Sequence, residues 1–477
     1  MKSDYDVIVV GAGPAGTASA MRLAACGLTV AIVESMPFPR PHVGICLSDQ
    51  TLSLLNYLDL GDNFRNAGFW RRDLTAVSWG ERNIKFVPQK GFHVDRGVLD
   101  QLLLDKARAS GVTVYQPAHL LDTQLPDDSG WQLTIAHDSY QQILKGRFIV
   151  DATGRRSAFR NERRIKDSPP LVAFHANWTL KNPPEFDGLI ESGEDAWLWY
   201  AQTAEDKAVV SVFCDPRHIK LKKCNLQTSY TRLLAQFRAL PLSQFGQQCS
   251  EPQGCDASSQ HAADIISDQH ICVGDACFSV DPLSSQGVHL ALQSGIQAAV
   301  IVNTILKKPE NSGLAQEFIK MRVAEHVSRY ARKAKSEYSR VALMNTGLFW
   351  VERAGDIAAP ESSVTTPLIK PPPGLPQTLV TMSPDIIVER AAVIDGVFVE
   401  EHQVLRHPNI EGSIAYVANV NLPQLLSLLP QQFMYQNIPG YWAEHVSATV
   451  CSKIVSWLWS NGILIISNHS GQYDPES

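Results

Sequence analysis

The chain opens with a short apolar run, a cluster of glycines and a second apolar stretch. Residues 7–10 read Val-Ile-Val-Val, and residues 11–16 read Gly-Ala-Gly-Pro-Ala-Gly. Residues 17–26 have helical apolar spacing, and residues 28–33 form another apolar run. Continuous β-branched runs favour buried strands, whereas glycines favour the turns between elements. The pattern predicts a strand, a tight turn, a helix and a second strand.

Two later strands also end in short turns. Residues 147–150 precede Asp-Ala-Thr-Gly at 151–154, and residues 271–273 precede Gly-Asp-Ala at 274–276. The segment at 281–288, Asp-Pro-Leu-Ser-Ser-Gln-Gly-Val, then opens a predicted helix. Strands that alternate with helices indicate a Rossmann-like α/β domain.

The chain between these two turns has a different pattern. Residues 171–179, 196–202 and 208–213 are rich in β-formers and alternate between apolar and polar positions. This alternation is typical of an antiparallel sheet with two unlike faces. We therefore predict an antiparallel sheet inserted into the α/β domain.

A proline-rich stretch at residues 360–376 predicts an extended linker before a separate module. The module alternates at 386–388 and 397–399, and its pattern predicts helices over 422–429 and 442–458. It resembles a small α/β or winged-helix-like module. Its aromatic side chains are predicted to anchor a partner protein, and they are Phe433, Tyr435, Tyr441 and Trp442. The alternative is that they pack the module onto the α/β domain.

These patterns predict three parts joined by a linker. The boundaries are residues 1–74, 96–170 and 261–345 for the α/β domain, 75–95 and 171–260 for the domain with the inserted sheet, 346–376 for the helix end and linker, and 377–477 for a C-terminal partner-recognition module.

Composition excludes several classes of protein. The 477 residues are 44% apolar and 19% charged with a net charge of −6, and no basic block indicates a nucleic-acid partner. Nine cysteines without a C-x-x-C pair argue against a disulfide framework or a zinc site, so we predict no metal and a cytoplasmic location. We find neither a leader pattern nor a membrane-spanning run.

The first glycine cluster has the spacing of a dinucleotide-binding turn. Gly11 permits the tight turn, Gly13 allows a pyrophosphate to approach the backbone, and Gly16 allows the helix to pack closely. Pro14 and Ala15 complete the turn. Glu34 stands 18 residues after Gly16, near the position expected for a carboxylate that binds an adenosine ribose. NAD and FAD share this fingerprint.

Together the three turns resemble the signatures of FAD-dependent monooxygenases with the p-hydroxybenzoate hydroxylase fold. The resemblance covers roughly residues 5–345 and implies non-covalent FAD. It places Asp275 at the ribityl chain and Arg96 over the FAD. The other residues that it assigns to the flavin site are Asp151, Gly154, Gly274, Pro282, Gln286, Gly287 and Val288.

The resemblance leaves the reaction open. Trp197 and Trp199 are similar to the start of the W-x-W-x-I-P signature of tryptophan halogenases, but the Ile-Pro is missing and no lysine precedes Lys85 in the relevant stretch. The added C-terminal module resembles that of flavoproteins that oxygenate a partner protein's tryptophan during tryptophylquinone biogenesis. The alternatives are a hydroxylase or halogenase of a small aromatic substrate, and a non-catalytic flavoprotein chaperone.

An oxygenase of this kind needs O2, a reductant and one acid/base group. The reductant is either NAD(P)H or reduced flavin from a partner reductase. His175 is the first candidate for the acid/base group, because alternation puts it on one face with Ala173 and Asn177. Asp73 and His93 on the first hairpin are the other candidates. Cys46 is either a reactive thiol or a small buried side chain.

Overall fold

The structure is a computed structural model, and it describes residues 3–40, 46–81, 83–125, 130–137, 140–159, 163–217, 225–239, 245–355, 377–410 and 412–467. The chain divides into two compact units, residues 1–360 and residues 361–477. Each unit buries its own set of apolar side chains, as an independently folded domain does. The predicted proline-rich stretch, residues 360–376, lies outside the described residues.

The first unit contains eight helices and nineteen strands among the described residues. The helices are α1 (Pro14–Ala25), α2 (Asp49–Tyr57), α3 (Gly61–Asn66), α4 (Arg96–Ala109), α5 (Leu226–Leu234), α6 (Gly287–Lys307), α7 (Ser312–Ala342) and α8 (Leu348–Ala354). The strands are β1 (Tyr5–Val10), β2 (Val30–Val33), β3 (Cys46–Ser48), β4 (Trp70–Ser78), β5 (Lys85–His93), β6 (Thr113–Tyr115), β7 (Ala118–Gln124), β8 (Trp131–His137), β9 (Tyr140–Asp151), β10 (Arg164–Lys166), β11 (Val172–Leu180), β12 (Gly188–Ser192), β13 (Ala196–Ala204), β14 (Lys207–Cys214), β15 (Phe245–Gln248), β16 (Gln253–Asp256), β17 (Gln260–Ala262), β18 (His270–Cys272) and β19 (Phe278–Ser279).

A seven-stranded sheet forms the α/β part of the first unit. Its order is β6-β2-β1-β9-β8-β7, and β18 pairs with β9. The central strands β1, β2, β6, β9 and β18 are parallel, whereas β7 and β8 add antiparallel strands at one edge. Val7, Ile8 and Val9 are fully buried, because a parallel sheet is covered on both faces. The predicted strand, turn and helix at the N-terminus are confirmed.

A nine-stranded sheet is built from two separate parts of the chain. Its order is β15-β11-β14-β13-β12-β4-β5-β3, and β16 pairs with β11. The hairpin β4–β5 joins the later strands through a parallel pairing of β4 with β12. The predicted runs at 171–179, 196–202 and 208–213 are β11, β13 and β14, which pair antiparallel. A smaller sheet follows the order β10-β17-β19.

The two faces of the nine-stranded sheet have different neighbours. Phe174 and Tyr200 belong to the cluster that packs with residues of α5. Ala173, Trp197 and Phe213 belong to the opposite cluster, which contains side chains of α7 and α8 and the partly buried Leu283. Alternation along each strand therefore separates a structural face from a face directed towards the 281–288 segment.

Helix α6 has the length and apolar composition of a membrane span, but 67% of its most apolar window is buried inside the protein. It packs against α1 in the first unit. Such burial is typical of a core helix, so no membrane span is indicated in the described part of the chain.

The second unit is a small α/β module, and the mixed α/β fold class is confirmed. Its elements are β20 (Leu379–Met382), β21 (Ile387–Asp395), β22 (Phe398–Arg406), β23 (Tyr416–Val417), β24 (Val420–Asn421), α9 (Leu422–Leu426), β25 (Gln432–Met434), α10 (Ile438–Trp442), α11 (Ala448–Ser460) and β26 (Leu464–Ile466). One sheet has the order β25-β20-β26, and β21–β22 is a long hairpin.

The prediction of one continuous helix over residues 442–458 is wrong. Helix α10 ends at Trp442, and Ser447 begins a new helix by accepting a hydrogen bond from the Val450 N–H at 3.4 Å. A serine at this position satisfies a free N–H of the first helical turn, which the apolar periodicity alone does not reveal.

The predicted aromatic anchors of this module differ in burial. Trp442 is 0% exposed and Phe433 is 3% exposed, so both belong to the module's own core. The Trp442 indole N–H also donates to the Leu425 carbonyl at 3.0 Å. The expectation that Trp442 and Phe433 anchor a partner is therefore wrong. Tyr441, in contrast, has 38% of its surface exposed.

Replacing Trp442 with alanine should destabilise the second unit far more than replacing its neighbour Tyr441. Trp442→Ala creates a core cavity and should lower the free energy of unfolding by about 3–5 kcal/mol. Tyr441→Ala changes a partly exposed side chain and should cost less than ~1 kcal/mol. Urea unfolding of the full chain, followed by circular dichroism, measures both values. Equal costs would contradict the assignment of Trp442 to the core.

Candidate active site

The first glycine turn brings three backbone segments into close contact. Gly11 has a φ of +104°, and a Cβ built there would lie 2.3 Å from the Ala152 carbonyl oxygen. A Cβ on Gly16 would lie 2.0 Å from the Gly11 carbonyl oxygen. Neither position can carry a side chain without moving backbone. The turn is therefore locked to the end of β9, where the second motif begins.

Gly13 differs from the other two glycines of the turn. The nearest atom to a Cβ built on Gly13 is Nη2 of Arg40 at 3.7 Å, so this position borders open space. Gly13 is the residue before α1, and Pro14 is the first residue of that helix. The first N–H groups of α1 have no side-chain cap. This helix end can hold a negatively charged group beside Gly13.

Glu34 follows β2 and is only 2% exposed. Its Oε2 accepts a hydrogen bond from the Ala12 N–H at 2.8 Å, and its Oε1 accepts one from the Met36 N–H at 2.8 Å. Arg40 pairs with Oε1 at 3.2 Å. The carboxylate therefore lies against the glycine turn, and its predicted role at an adenosine ribose stays a prediction.

Arg96 is buried in an ion pair at the start of α4. Its Nε donates to Oδ1 of Asp100 at 3.0 Å, and its Nη2 donates to Oδ2 at 3.2 Å. Nη2 of Arg40 lies 3.6 Å from Oδ2 of the same aspartate. Arg40 thus links Glu34 to Asp100 and approaches Gly13. Sequence reasoning missed Arg40 because it lies in a proline-rich segment without periodicity.

Asp151 is fully buried at the end of β9 and organises the second motif. Its Oδ1 accepts from the Thr153 N–H at 2.9 Å and from the Thr153 hydroxyl at 2.6 Å. Its Oδ2 accepts from the Ser157 hydroxyl at 3.1 Å. Asp151, His270 and Cys272 each place a ligand-type atom within 4.8 Å of the others. Because Asp151 already accepts three hydrogen bonds, we assign its carboxylate to the turn.

The third motif meets the first one directly. Gly274 has a φ of +56°, and a Cβ built there would lie 2.8 Å from the Ala15 Cβ. The Asp275 side chain is 44% exposed, and its Oδ2 lies 3.7 Å from Nε of Arg155. Arg155 follows Gly154 in the turn after β9. The tertiary structure therefore brings all three motifs to one end of the parallel sheet.

The segment 281–288, termed here the flavin loop, connects these motifs to the nine-stranded sheet. Asp281 accepts from the Leu283 N–H at 3.0 Å and from the Tyr338 hydroxyl at 3.0 Å. Burial raises the pKa of Asp281 to about 6. Pro282 begins a 3-10 turn.

The loop ends at the start of α6, where Gln286 precedes Gly287 and Val288. A Cβ on Gly287 would have no atom within 4 Å, so this helix end also faces open space.

The face of the sheet towards the flavin loop carries a continuous row of side chains. Strand pairing places Trp199 opposite Ser211, Ser211 opposite His175, and His175 opposite Gln253. Directly paired residues share a face, so His175 lies on the face that the sequence predicts. Trp197 and Phe213 stack with ring centroids 3.8 Å apart in the next row.

His93, at the end of β5, is 1% exposed. Its Nδ1–H donates to the Gln202 carbonyl at 2.7 Å, which leaves Nε2 with a lone pair. Nε2 has no hydrogen-bond partner among the described residues. Burial lowers the pKa of His93 to about 4, so the ring is neutral at pH 7. The ring stands edge-to-face with Trp199 at 6.1 Å.

Asp73, the third candidate, has a side chain that is 60% exposed and pairs with Arg71 at 3.1 Å. It therefore lies in solvent rather than beside Trp199. Sequence reasoning also missed Arg72, the residue before Asp73, which is 2% exposed. Arg72 donates to the Cys46 sulfur at 2.7 Å, and Cys46 interacts with Ser285 of the flavin loop. A buried arginine has no signature in an alternating strand pattern.

Comparison with known proteins gives the family of the chain. Residues 4–322 match the family described as FAD binding domain. LodB of Marinomonas mediterranea, described as a putative FAD-dependent oxidoreductase, is 29% identical over 307 residues, which cover 61% of this chain and 82% of that protein. A tryptophan 2-halogenase of Chondromyces crocatus is 27% identical over 374 residues, which cover 73% of this chain and 70% of that protein.

Solved structures share the fold. The flavin-dependent halogenase CmlS has a TM-score of 0.80 at 22% identity, and the alignment covers 99% of this chain and 97% of CmlS. QhpG, described as a peptidyl tryptophan dihydroxylase, has a TM-score of 0.70 at 24% identity, and the alignment covers 96% of this chain and 100% of QhpG. Because the family match spans more than half of the chain, this protein belongs to the FAD-binding-domain family and is a flavin-dependent enzyme.

Proposed function

We propose that this enzyme is a FAD-dependent monooxygenase that hydroxylates the indole ring of a tryptophan in a partner protein. The observation that carries the proposal is the buried His93 beside Trp199, because its Nε2 has no hydrogen-bond partner among the described residues. The similarity to QhpG, whose description includes tryptophylquinone cofactor biogenesis, supports a protein substrate.

FAD fits the residues that the structure brings together. Gly13 and Gly287 each leave room at a helix N-terminus, where a side chain would intrude. The first turn of α1 would hold the pyrophosphate, and Glu34 would bind the adenosine ribose. The half-exposed Asp275 is available for the ribityl hydroxyls.

The remaining predicted residues have supporting roles in this proposal. Gln286, Gly287 and Val288 would contact the isoalloxazine. Arg96 would stabilise the adjacent wall of the proposed flavin site through its ion pair with Asp100. Asp151 and Gly154 would shape the second turn, while Gly274 and Pro282 would shape the third turn and the loop.

When bound and reduced, FAD supplies activated oxygen from O2. The residues of the chain orient the aromatic substrate, exclude water and move a proton. Trp199, which is partly buried, would provide an aromatic surface for an indole ring, and the buried Trp197 and Phe213 would support it from the core. His93 Nε2 accepts the proton that the ring loses when oxygen replaces hydrogen. His175, in the same row as Trp199, would orient the substrate.

We propose hydroxylation ahead of halogenation because of where the lysines lie. The halogenases that the sequence resembles use a lysine near the flavin, and no lysine is buried in the part of the chain that the structure describes. Lys85, the first lysine of the relevant stretch, has a side chain that is 60% exposed and pairs with Glu81 at 2.7 Å. The buried cation in this region is Arg72.

Halogenation of an aromatic ring is the second candidate. The tryptophan 2-halogenase relative and the similarity to CmlS over 99% of this chain favour it. Both reactions use reduced FAD and O2, so the product distinguishes them.

We also propose a cytoplasmic enzyme that receives electrons from NAD(P)H or from a separate flavin reductase. The second unit would recognise the partner protein. Its hairpin β21–β22 exposes Ile387 at 59% and Val388 at 52%, and exposed apolar side chains are typical of interfaces.

Gly13→Val and Asp275→Ala should both weaken FAD binding. The valine side chain would occupy the space beside Arg40 that the pyrophosphate needs, and the alanine would leave a ribityl hydroxyl unpaired at a cost of about 1–3 kcal/mol. Gly313→Val is the control, because a Cβ at Gly313 meets no atom within 4 Å and lies in α7. Fluorescence titration with FAD measures the affinities. Wild-type affinity in Gly13→Val would contradict the proposed cradle.

Mass spectrometry of the product tests the proposed reaction. With reduced FAD, O2 and an unmodified partner protein, a tryptophan of the partner should gain oxygen. His93→Gln should lower the rate by about 10²–10⁴ without changing FAD affinity, since it removes the proton acceptor. His119→Gln, an exposed substitution in β7, is the control. Incorporation of chlorine in the presence of chloride would instead establish the halogenase reaction.

Substitution of the exposed hairpin tests the role of the second unit. Ile387→Asp combined with Val388→Asp should raise the KM for the partner protein by about tenfold and leave kcat and FAD affinity unchanged. Leu121→Asp, at an equally exposed position in the first unit, is the matched control. Steady-state kinetics with the partner protein measures both variants. An unchanged KM would place recognition elsewhere.

A further inference from the structure

One buried side chain joins helix α7 to the flavin loop. Tyr338 is 2% exposed, and its hydroxyl donates to Oδ2 of Asp281, the first residue of the loop, at 3.0 Å. The other carboxylate oxygen of Asp281 accepts from the Leu283 N–H at 3.0 Å. The carboxylate therefore contacts the helix through one oxygen and the turn of the loop through the other.

Aromatic neighbours fix the ring of Tyr338. Its centroid lies 6.2 Å from that of Phe349 and 6.0 Å from that of Trp350, both on α8, and 6.4 Å from that of Trp79, which follows β4. In a closely packed interior, neighbours on several sides leave a ring little room to move. The hydroxyl is therefore held in place beside the Asp281 carboxylate.

The charge of Asp281 has no ion-pair partner among the described residues. Burial raises its pKa to about 6, so the carboxylate is largely ionised at pH 7. Arg353 on α8 acts on this charge from a distance, but its own guanidinium pairs with Asp215 at 3.3 Å. Hydrogen bonds to a buried carboxylate are stronger than those between neutral groups. The orientation of Asp281 therefore depends on its two donors, the Tyr338 hydroxyl and the Leu283 N–H.

Asp281 also stands at the start of the turn that leads into α6. It precedes the 3-10 turn Pro282–Ser284, and Ser285 then adopts a left-handed φ of +50°. Leu283, within the turn, packs against the aromatic cluster on the face of the nine-stranded sheet towards the loop. The chain reaches Gly287 two residues after Ser285, where α6 begins and a Cβ would meet open space. A change at Asp281 is therefore separated from this open helix end by one short turn.

We propose that Tyr338 is a positioning residue for the flavin and that it acts through Asp281 on the flavin loop. The ring fixes the hydroxyl, the hydroxyl orients the carboxylate, and the carboxylate holds the turn before α6. The inference rests on the proposed contact of Gln286, Gly287 and Val288 with the isoalloxazine, and it does not depend on which reaction the flavin performs.

Titration of the full-length apoprotein with FAD tests the inference. Tyr338→Phe keeps the ring and removes the hydroxyl, so it should weaken FAD binding by about tenfold. Tyr230→Phe is the matched control, because the buried Tyr230 hydroxyl donates to the Val210 carbonyl at 2.9 Å in the cluster on the opposite face of the sheet. The control should leave FAD affinity unchanged. The midpoint potential of bound FAD should shift in Tyr338→Phe and keep its wild-type value in Tyr230→Phe.

A double substitution tests whether Tyr338 acts through Asp281. Asp281→Ala should weaken FAD binding and shift the midpoint potential in the same direction as Tyr338→Phe. Adding Tyr338→Phe to Asp281→Ala should cause no further loss of affinity, because two residues that act through one contact are not additive. Hydrogen exchange of the apoprotein reports on the loop itself. The Leu283 N–H should exchange about tenfold faster in Tyr338→Phe than in the wild type or in Tyr230→Phe.

Gly287→Val separates failure of this inference from failure of the proposed flavin contact. If Gly287→Val weakens FAD binding and Tyr338→Phe does not, the loop contacts the flavin but Tyr338 does not position it, and the inference is overturned. Additive losses in the double variant would overturn it as well. If both Gly287→Val and Tyr338→Phe bind FAD as the wild type does, the proposed contact of the loop with the isoalloxazine is wrong, and the inference fails with it.

Discussion

The contact of three backbone turns at one end of the parallel sheet is the constraint on which the rest of the structure depends. The Gly11 turn lies against Ala152, α1 lies against Gly11 through Gly16, and Gly274 lies against Ala15. A single methyl group at any of these glycines would overlap atoms that cannot move without shifting a strand or a helix. The absence of side chains there lets three distant parts of the chain form one surface, to which we propose that the cofactor binds.

Buried charges surround that surface, and each is stabilised in a different way. Glu34, Arg40, Asp100 and Arg96 form a connected set of ion pairs and hydrogen bonds, so their charges compensate one another. Asp281 accepts two hydrogen bonds, yet burial still raises its pKa. Arg72 lacks such compensation among the described residues. In the low dielectric of the protein interior, the presence or absence of a compensating charge decides which neighbouring groups can ionise.

The nine-stranded sheet joins the cofactor surface to the proposed chemistry. Its outer face packs with α5, whereas its inner face carries the aromatic side chains and His175. His93 reaches the same region from β5, because the β4–β5 hairpin attaches to β12. The proposed substrate face is thus assembled from strands that are far apart in the sequence.

The sequence by itself determined the α/β class and the strand–turn–helix at residues 5–25. These features follow from local rules, because β-branched runs, glycine spacing and alternation act over a few residues. Alternation also placed His175 on the inner face correctly. It could not rank His93 above Asp73, since burial and hydrogen bonding depend on which strands pair.

Only the tertiary structure decided the environment of the polar groups. The buried Arg72, the link from Arg40 to Glu34 and the core position of Trp442 depend on contacts between residues distant in sequence. Apolar periodicity indicates which positions of a helix or strand are buried, but it does not identify the partner of a buried charge. Long-range packing sets that partner, and with it the pKa and the chemistry of the site.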